Sequence, residues 1–430
     1  MSIKKNYYFA KDELFGICRS ITGQGIQKTL RLIQKKYKDL RIINFKSGQK
    51  AFDWKIPKEW NISDAYILDP NNKKIIDFKI NNLHLVGYSI PINKLISKKE
   101  LIKKFHYIKN QKYAIPYVTS YYNLNWGFCV TYDFFKKFLK QYNKKDKFRV
   151  VIKSSFKKNG KLSLGELLIK GKKKQEILVS TYICHPSMAN NELSGPIVSM
   201  SLIEYFKKKK QPEYSLRFLF VPETIGSISY LSKNLKKLQN YVLGGYNLTC
   251  IGDDRQHSCM FSKYKDSPSD LALIKAYKKL KIKNYKVHSF LDRGSDERQY
   301  NSPGINLNIA SIFRTKYWNY PEYHTSLDNF DLVTLKGVRG GFNVAKNAIN
   351  ILLKEIYPKY SLLCEPQMSK RKLYPNVSKK NIKNTFKSYL DFVQYADGKN
   401  TLKDICKYTN IKLDKGKKIY NVLIKEKILI

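Results

Sequence analysis

Acidic residues and histidine are scarce in this chain, and its cysteines are few and unpaired. The seven cysteines, Cys18, Cys129, Cys184, Cys250, Cys259, Cys364 and Cys406, are an odd number with no CxxC spacing, which argues against a disulfide framework and a zinc-knuckle scaffold. No stretch approaches the ~20 apolar residues of a membrane span, and the N-terminal MSIKKNYYFAKDELFG has no apolar core of signal-peptide length. A cytoplasmic protein with reduced thiols and no membrane partner is expected, with Cys184 and Cys250 as buried packing residues. Only 34 Asp and Glu stand against 81 Lys and Arg, a net charge of +47. Such a charge favours polyanionic partners. The lysines run along the whole chain without a dominant cluster, so a dispersed solvated surface is expected and sequence-specific nucleic-acid binding is not.

An aromatic share of 13% excludes a disordered chain, and 430 residues call for two or three domains. Tyr7 to Cys18 and Gln24 to Lys36 have helical spacing on either side of a break at Arg19–Gly23. From about Ser47 the texture turns to alternating aromatic and β-branched residues, with a turn at Asp69-Pro70-Asn71-Asn72, and predicts an antiparallel β domain reaching Val130. Beyond about Phe148, strands at 176–183, 215–221, 245–251 and 305–309 alternate with helices near 196–208, 226–238, 269–281 and 332–356, the rhythm of a largely parallel sheet covered on both faces. The β segment therefore reads as an insertion. Cys364 to Tyr374 reads as a linker. The two short helices and apolar end that follow read as a winged helix, for which a protein-contact role is preferred over nucleic-acid docking because its second helix offers little beyond lysines. The expected boundaries are 1–46 for N-terminal helices of the α/β domain, 47–131 for the insert, 132–363 for the α/β domain and 364–430 for linker and winged helix.

The stretch ILVSTYICHPSMANNELSG, Ile177 to Gly195, is a buried-strand run ended by His185 and Pro186, with Glu192 in the turn before the next helix. Strand ends in open α/β sheets are where ligands bind, so His185 and Glu192 are a plausible metal half-site, the alternative being a capped loop histidine. Pro222-Glu223-Thr224 puts a carboxylate at the same edge. Leu291 to Arg298 concentrates charged and hydroxyl side chains, and Tyr320 to Asp328 holds a second histidine, His324. One histidine, one carboxylate and a distant histidine suffice for an open zinc site whose bound water has a pKa near ~7. A further carboxylate is needed to take and return the proton.

With Cys18–Gly23, Asp53-Trp54, Glu59-Trp60, His84–Tyr88 and Trp126–Cys129, these motifs resemble the zinc exopeptidase fold of aminopeptidases and glutaminyl cyclases. More closely they resemble bacterial aminopeptidase-like proteins associated with polysaccharide biosynthesis. The resemblance covers nearly the whole chain and implies a three-layer α/β/α domain with an inserted antiparallel β domain and a C-terminal winged helix. Carried over residue by residue, His185 and His324 match metal histidines. Ser187, Asn191 and Thr249 stand where those enzymes have acids, Asp253 is a displaced substitute for the last of these, and only Glu223 represents the paired glutamates. Glu297 replaces a histidine.

The loss of two anionic ligands implies one zinc rather than two. The resemblance implies His185, Glu192 and His324 as ligands and Glu223 as general base, with Glu223 as ligand the alternative. Arg293, Asp296, Glu297 and Arg298 are placed around the substrate, against a bracing salt-bridge network. His84 and Trp126 are candidates to close over the cleft, against ordinary core packing. The implied activity is zinc-dependent hydrolysis of an amide bond near a free terminus or on an amino-sugar derivative, with a small-molecule or peptide-like substrate and a homo-oligomer as possible partners. The rival reading is a binding or sensor protein that keeps the fold with reduced catalysis.

Overall fold

Ile177 and Val179 belong to the apolar layer on one face of the central strand and Leu178 to the layer on the other, so an unbroken apolar run is what this strand requires. The computed structural model describes residues 2–374 and 380–430. Its main sheet has eight strands in the order Arg41–Lys46, Lys161–Ile169, Tyr214–Val221, Lys173–Tyr182, Val242–Leu248, Ile309–Phe313, His257–Met260 and Tyr285–His288. The strands from Tyr214–Val221 to Ile309–Phe313 are mutually parallel, and antiparallel neighbours flank them on both sides.

One face is covered by helices Ser194–Lys207, Leu335–Lys354, Pro268–Lys279 and Gln24–Lys36, through Ile197, Ile203, Val344, Ala348, Leu273 and Leu30. Helix Ile225–Tyr241 covers part of the other through Ile228 and Leu231. Each such fully buried Val, Leu or Ile side chain contributes roughly 1.5–3 kcal/mol. Gly195 sits where helix and strands press closest. A Cβ there would stand 2.2 Å from Thr181 Oγ1 and 2.3 Å from the Leu248 carbonyl. The Ser-Gly pair thus lets the first turn of helix Ser194–Lys207 lie directly on the strand ends that carry the site.

The insert carries a four-stranded antiparallel sheet, ordered Lys74–Asp77, Glu59–Leu68, Lys147–Lys157 and Ile92–Ser97. The expected boundary at 131 falls short. Strand Lys147–Lys157 pairs with Glu59–Leu68, and helix Tyr132–Gln141, capped by Thr131, packs Phe138 against Phe105 and Phe148 of the insert. The chain re-enters the main sheet at Lys161–Ile169, after the turn at 158–160.

Helices Lys380–Gln394, Leu402–Tyr408 and Leu413–Lys425 form the C-terminal module around Phe392, Ile405, Leu423 and Ile428. Met368 is buried in the same cluster, so part of the expected linker belongs to the module. The module docks on the main domain: Lys173 Nζ donates to Tyr420 Oη at 2.9 Å and Gln175 Nε2 to the Ile430 carbonyl at 2.7 Å. Tyr420, on the second of the short helices, therefore faces protein. Among the described residues no helix is long and apolar enough to cross a membrane.

Candidate active site

After Tyr182 the central strand ends in Ile183-Cys184-His185-Pro186, Ser187 turns through φ 43°, and a π-helical turn, Ala189–Leu193, leads into the following helix. The backbone N–H groups of Ala189, Asn190 and Asn191 all donate to the buried carboxylate of Asp328. An anion at converging N–H groups satisfies donors that a helix start otherwise leaves unpaired. Asn190 Nδ2 donates to Asp253, whose carboxylate also accepts from the Thr315 backbone N–H and hydroxyl and from the Arg255 N–H. Asp253, expected as a displaced metal ligand, is thus occupied in bracing this loop.

His185 is buried between two carboxylates. Its Nδ1 lies 2.6 Å from Glu192 Oε2, and its Nε2, on the opposite edge, lies 3.7 Å from Glu223 Oε2. Burial alone would push the imidazole pKa down, but Cys184 and Glu192 beside it hold it well above its ordinary value. Burial raises the Cys184 thiol to about 11, so at neutral pH Glu192 is the anion that matters. Arg19 stands behind this pair, donating from Nε to the His185 carbonyl at 3.0 Å and lying 4.0 Å from Glu192 Oε1.

His324 comes from a loop more than a hundred residues away, and its ring centroid is 5.3 Å from that of His185. Tyr323 stacks on it at 3.9 Å. Burial, then His185, keep its pKa well below the ordinary value, so it is neutral with a lone pair to offer. Tyr117, from the insert, sets its ring edge-on to both histidines at 5.1 Å each, and its N–H donates to the His324 carbonyl. The insert is thereby stitched to the loop that carries His324.

Glu223 follows strand Tyr214–Val221, and its N–H donates to Cys184 Sγ at 3.2 Å. Burial raises its pKa above the usual carboxylate value. Asp296 lies beneath it, accepting from Thr224 N–H at 2.8 Å and Ser227 Oγ at 2.7 Å. Burial, then Glu223, push its carboxyl up to about 7. Thr224, Cys250 and His324 all have positive φ, conformations that L-residues hold only where the surrounding structure enforces them.

Several buried acceptors have no hydrogen-bond donor: His324 Nε2, Asn191 Oδ1, Glu192 Oε1 and Asp296 Oδ2. Unpaired buried acceptors cost ~1–3 kcal/mol each unless a cation or donor meets them. Cys184, His185 and Glu192 form the one group of His, Cys and acid donors within 4.8 Å of each other among the described residues. A cavity of about 370 Å³ opens over His185, Glu223 and His324 and is walled by Trp54, Tyr117, Tyr121 and Tyr122 of the insert and by Arg298. This volume suits a small molecule. A larger cleft of about 1220 Å³ lies along helix Gln24–Lys36 and does not contain His185, Glu223 or His324.

The structure brings together His185, Glu192, Glu223, His324, Asp296 and Arg298. It separates the others. Arg293 is exposed and lies over the Phe290 ring, away from the cavity. Glu297 is buried and accepts from Gly294 N–H, Ser295 N–H, Tyr317 Oη and Asn247 Nδ2, which makes it a brace for its loop rather than a substrate contact. His84 and Trp126 do not line the cavity: His84 Nδ1 bonds the Cys129 carbonyl, and Trp126 lies under Lys104. The aromatic covering comes from Trp54, Tyr117, Tyr121 and Tyr122, which sequence reasoning missed. Their one signal is a cluster of tyrosines in an otherwise polar loop. Arg19, buried in the break between two helices, was also missed.

A three-layer α/β/α domain with histidines and a glutamate at its strand ends, an inserted β domain and a winged helix define an aminopeptidase-like protein. The family described as domain of unknown function DUF4910 matches residues 7–355, and a winged helix-turn-helix family matches residues 355–430. A Clostridium acetobutylicum protein named "Putative polysaccharide biosynthesis protein with aminopeptidase-like domain" is 41% identical over 397 residues, 92% of this chain and 89% of its own length. The chain belongs to this aminopeptidase-like family. The crystal structure of a "putative peptidase" from Clostridium acetobutylicum superposes with a TM-score of 0.78 at 38% identity, covering 100% of this chain and 97% of that one. BSAP, a zinc aminopeptidase from Bacillus subtilis, shares the fold at 14% identity and a TM-score of 0.58, over 81% of this chain and 94% of its own.

Proposed function

We propose that this protein is a single-zinc hydrolase of amide bonds, acting near a free terminus or on an amino-sugar derivative. The observation that carries the reading is His324 Nε2, a buried acceptor without a donor on a ring whose centroid lies 5.3 Å from that of His185, both lining the cavity, with Asn191 Oδ1 a second such acceptor on the π-helical turn that follows His185. His185 through Nε2 and His324 through Nε2 would hold the ion, with Asn191 Oδ1 completing the set. Glu192 is better placed behind His185 than on the metal. Two ligands of one tetrahedral zinc stand ~3.3 Å apart when each bond is ~2.0 Å, whereas Glu192 Oε2 is 2.6 Å from Nδ1. That is a hydrogen bond of the kind that fixes a ligating histidine's tautomer and orientation.

Bound zinc would supply a water nucleophilic near neutral pH. Glu223, the one carboxylate lining the cavity among the described residues, would accept a proton from the attacking water and return it to the leaving nitrogen as the C–N bond breaks. Tyr117, Trp54 and Tyr122 cover the reacting groups and limit bulk water. Seven free cysteines accord with a cytoplasmic setting.

A rival is a binding protein with reduced catalysis, favoured by Asn191 and Thr249 at positions where the aminopeptidases carry acids. Metal analysis after zinc-replete purification, with turnover of aminoacyl amides and N-acyl amino sugars, separates the two. Stoichiometric zinc and turnover support the hydrolase; neither appearing would leave the binding protein.

A further inference from the structure

Arg298 is the one arginine or lysine lining the cavity among the described residues, and much of its donor capacity is unused. Its Nη2 donates to Thr224 Oγ1 at 2.6 Å, which fixes the guanidinium at the wall, while its buried Nε has no acceptor. We propose that Arg298 reads the substrate by holding a carboxylate next to the scissile amide. The substrate class is then a small N-acylated compound bearing a free acid, rather than one recognised by a free amine. This rests on the amide-hydrolase reading above and goes beyond it in naming the recognised group.

Glu297 is turned to other donors, Gly294 N–H, Ser295 N–H, Tyr317 Oη and Asn247 Nδ2, and Asp296 accepts through Oδ1 from Thr224 N–H and Ser227 Oγ. Recognition of an ammonium group would need a spare carboxylate facing the cavity. Among the described residues the only lining carboxylate is Glu223, beside His185 Nε2 at 3.7 Å, where proton transfer requires it. A guanidinium offers five N–H donors in a planar fork and pairs best with a planar oxyanion. At about 370 Å³ the cavity fits one acylated residue or sugar-sized unit, and Trp54 and Tyr122, whose rings meet edge-on at 5.9 Å, give its far wall an apolar face.

The test uses zinc-supplemented full-length protein and a panel of N-acetyl amino acids, each paired with its C-terminal primary amide, together with aminoacyl amides. Binding is measured by calorimetry and turnover by amine release, for wild type, Arg298→Gln and Arg298→Lys. The wild type should bind at least one acid about tenfold or more tightly than its amide, the scale of a charge-assisted hydrogen bond. Arg298→Gln should erase that difference and raise KM with little change in kcat, and Arg298→Lys should restore part of it. Preference for aminoacyl amides, unmoved by Arg298→Gln, would overturn the inference and leave the hydrolase standing. If nothing is turned over, the hydrolase reading falls, while acid-over-amide binding that depends on Arg298 still supports the anion site and its absence overturns it.

Discussion

Glu192 meets His185 across the π-helical turn with its Oε2 2.6 Å from Nδ1, leaving Nε2 as the edge that faces Glu223 and the cavity. A carboxylate in this position holds the ring's orientation. Replacing Glu192 with Gln keeps the shape but weakens the acceptor. Zinc affinity, measured by competition with a chromogenic chelator, should fall about 10- to 100-fold while saturation at high zinc still reaches one equivalent. An unchanged affinity would show that the pair has no bearing on the metal.

Arg19 is the buried cation behind that pair, 4.0 Å from Glu192 and bonded to the His185 carbonyl. Arg19→Met would fill similar space but leave the Glu192 charge buried without its partner. Urea unfolding should report a loss of about 3 kcal/mol or more, as for other buried pairs broken on one side. A change under about 0.5 kcal/mol would contradict the placement.

Asp296 gives a pH signature. Burial, then Glu223, raise its carboxyl to about 7 from an ordinary 3.8, so between those values the folded protein binds a proton that the unfolded chain releases. Stability from this group is full below ~pH 4, declines as pH rises toward ~7 and is flat above. The decline is on the order of a few kcal/mol. In chelator-treated protein, Asp296→Asn should flatten that part of the stability–pH curve. The same slope in the variant would assign the titration elsewhere.

Much of this arrangement is legible in the residues themselves. An apolar run ending in His185-Pro186 marks a buried strand and its open end, and Pro222-Glu223 marks the neighbouring one. The insert's limit was not legible, because Lys147–Lys157 alternates like any half-buried strand and only its pairing with Glu59–Leu68 assigns it to the insert. The strand expected at 305–309 forms instead at Ile309–Phe313, since Asn306 and Asn308 take positive φ and break the earlier apolar run. The division of labour between Glu192 and Glu223 is a matter of which edge of one imidazole each reaches. No spacing in the chain encodes that.

Glu223→Gln keeps the size of the cavity's carboxylate and removes its basicity. Turnover of whichever amide the wild type hydrolyses should fall a hundredfold or more, ~3 kcal/mol of transition-state stabilisation. Less than a threefold loss in kcat would move the base elsewhere.

The most direct test of the central claim is zinc content per chain by inductively coupled plasma mass spectrometry, on zinc-replete protein desalted to remove loosely bound metal. One equivalent is expected in the wild type and in Glu223→Gln, and well below one in His185→Ala and His324→Ala. Two equivalents in the wild type, retained zinc in both histidine variants, or loss of zinc in Glu223→Gln would contradict it.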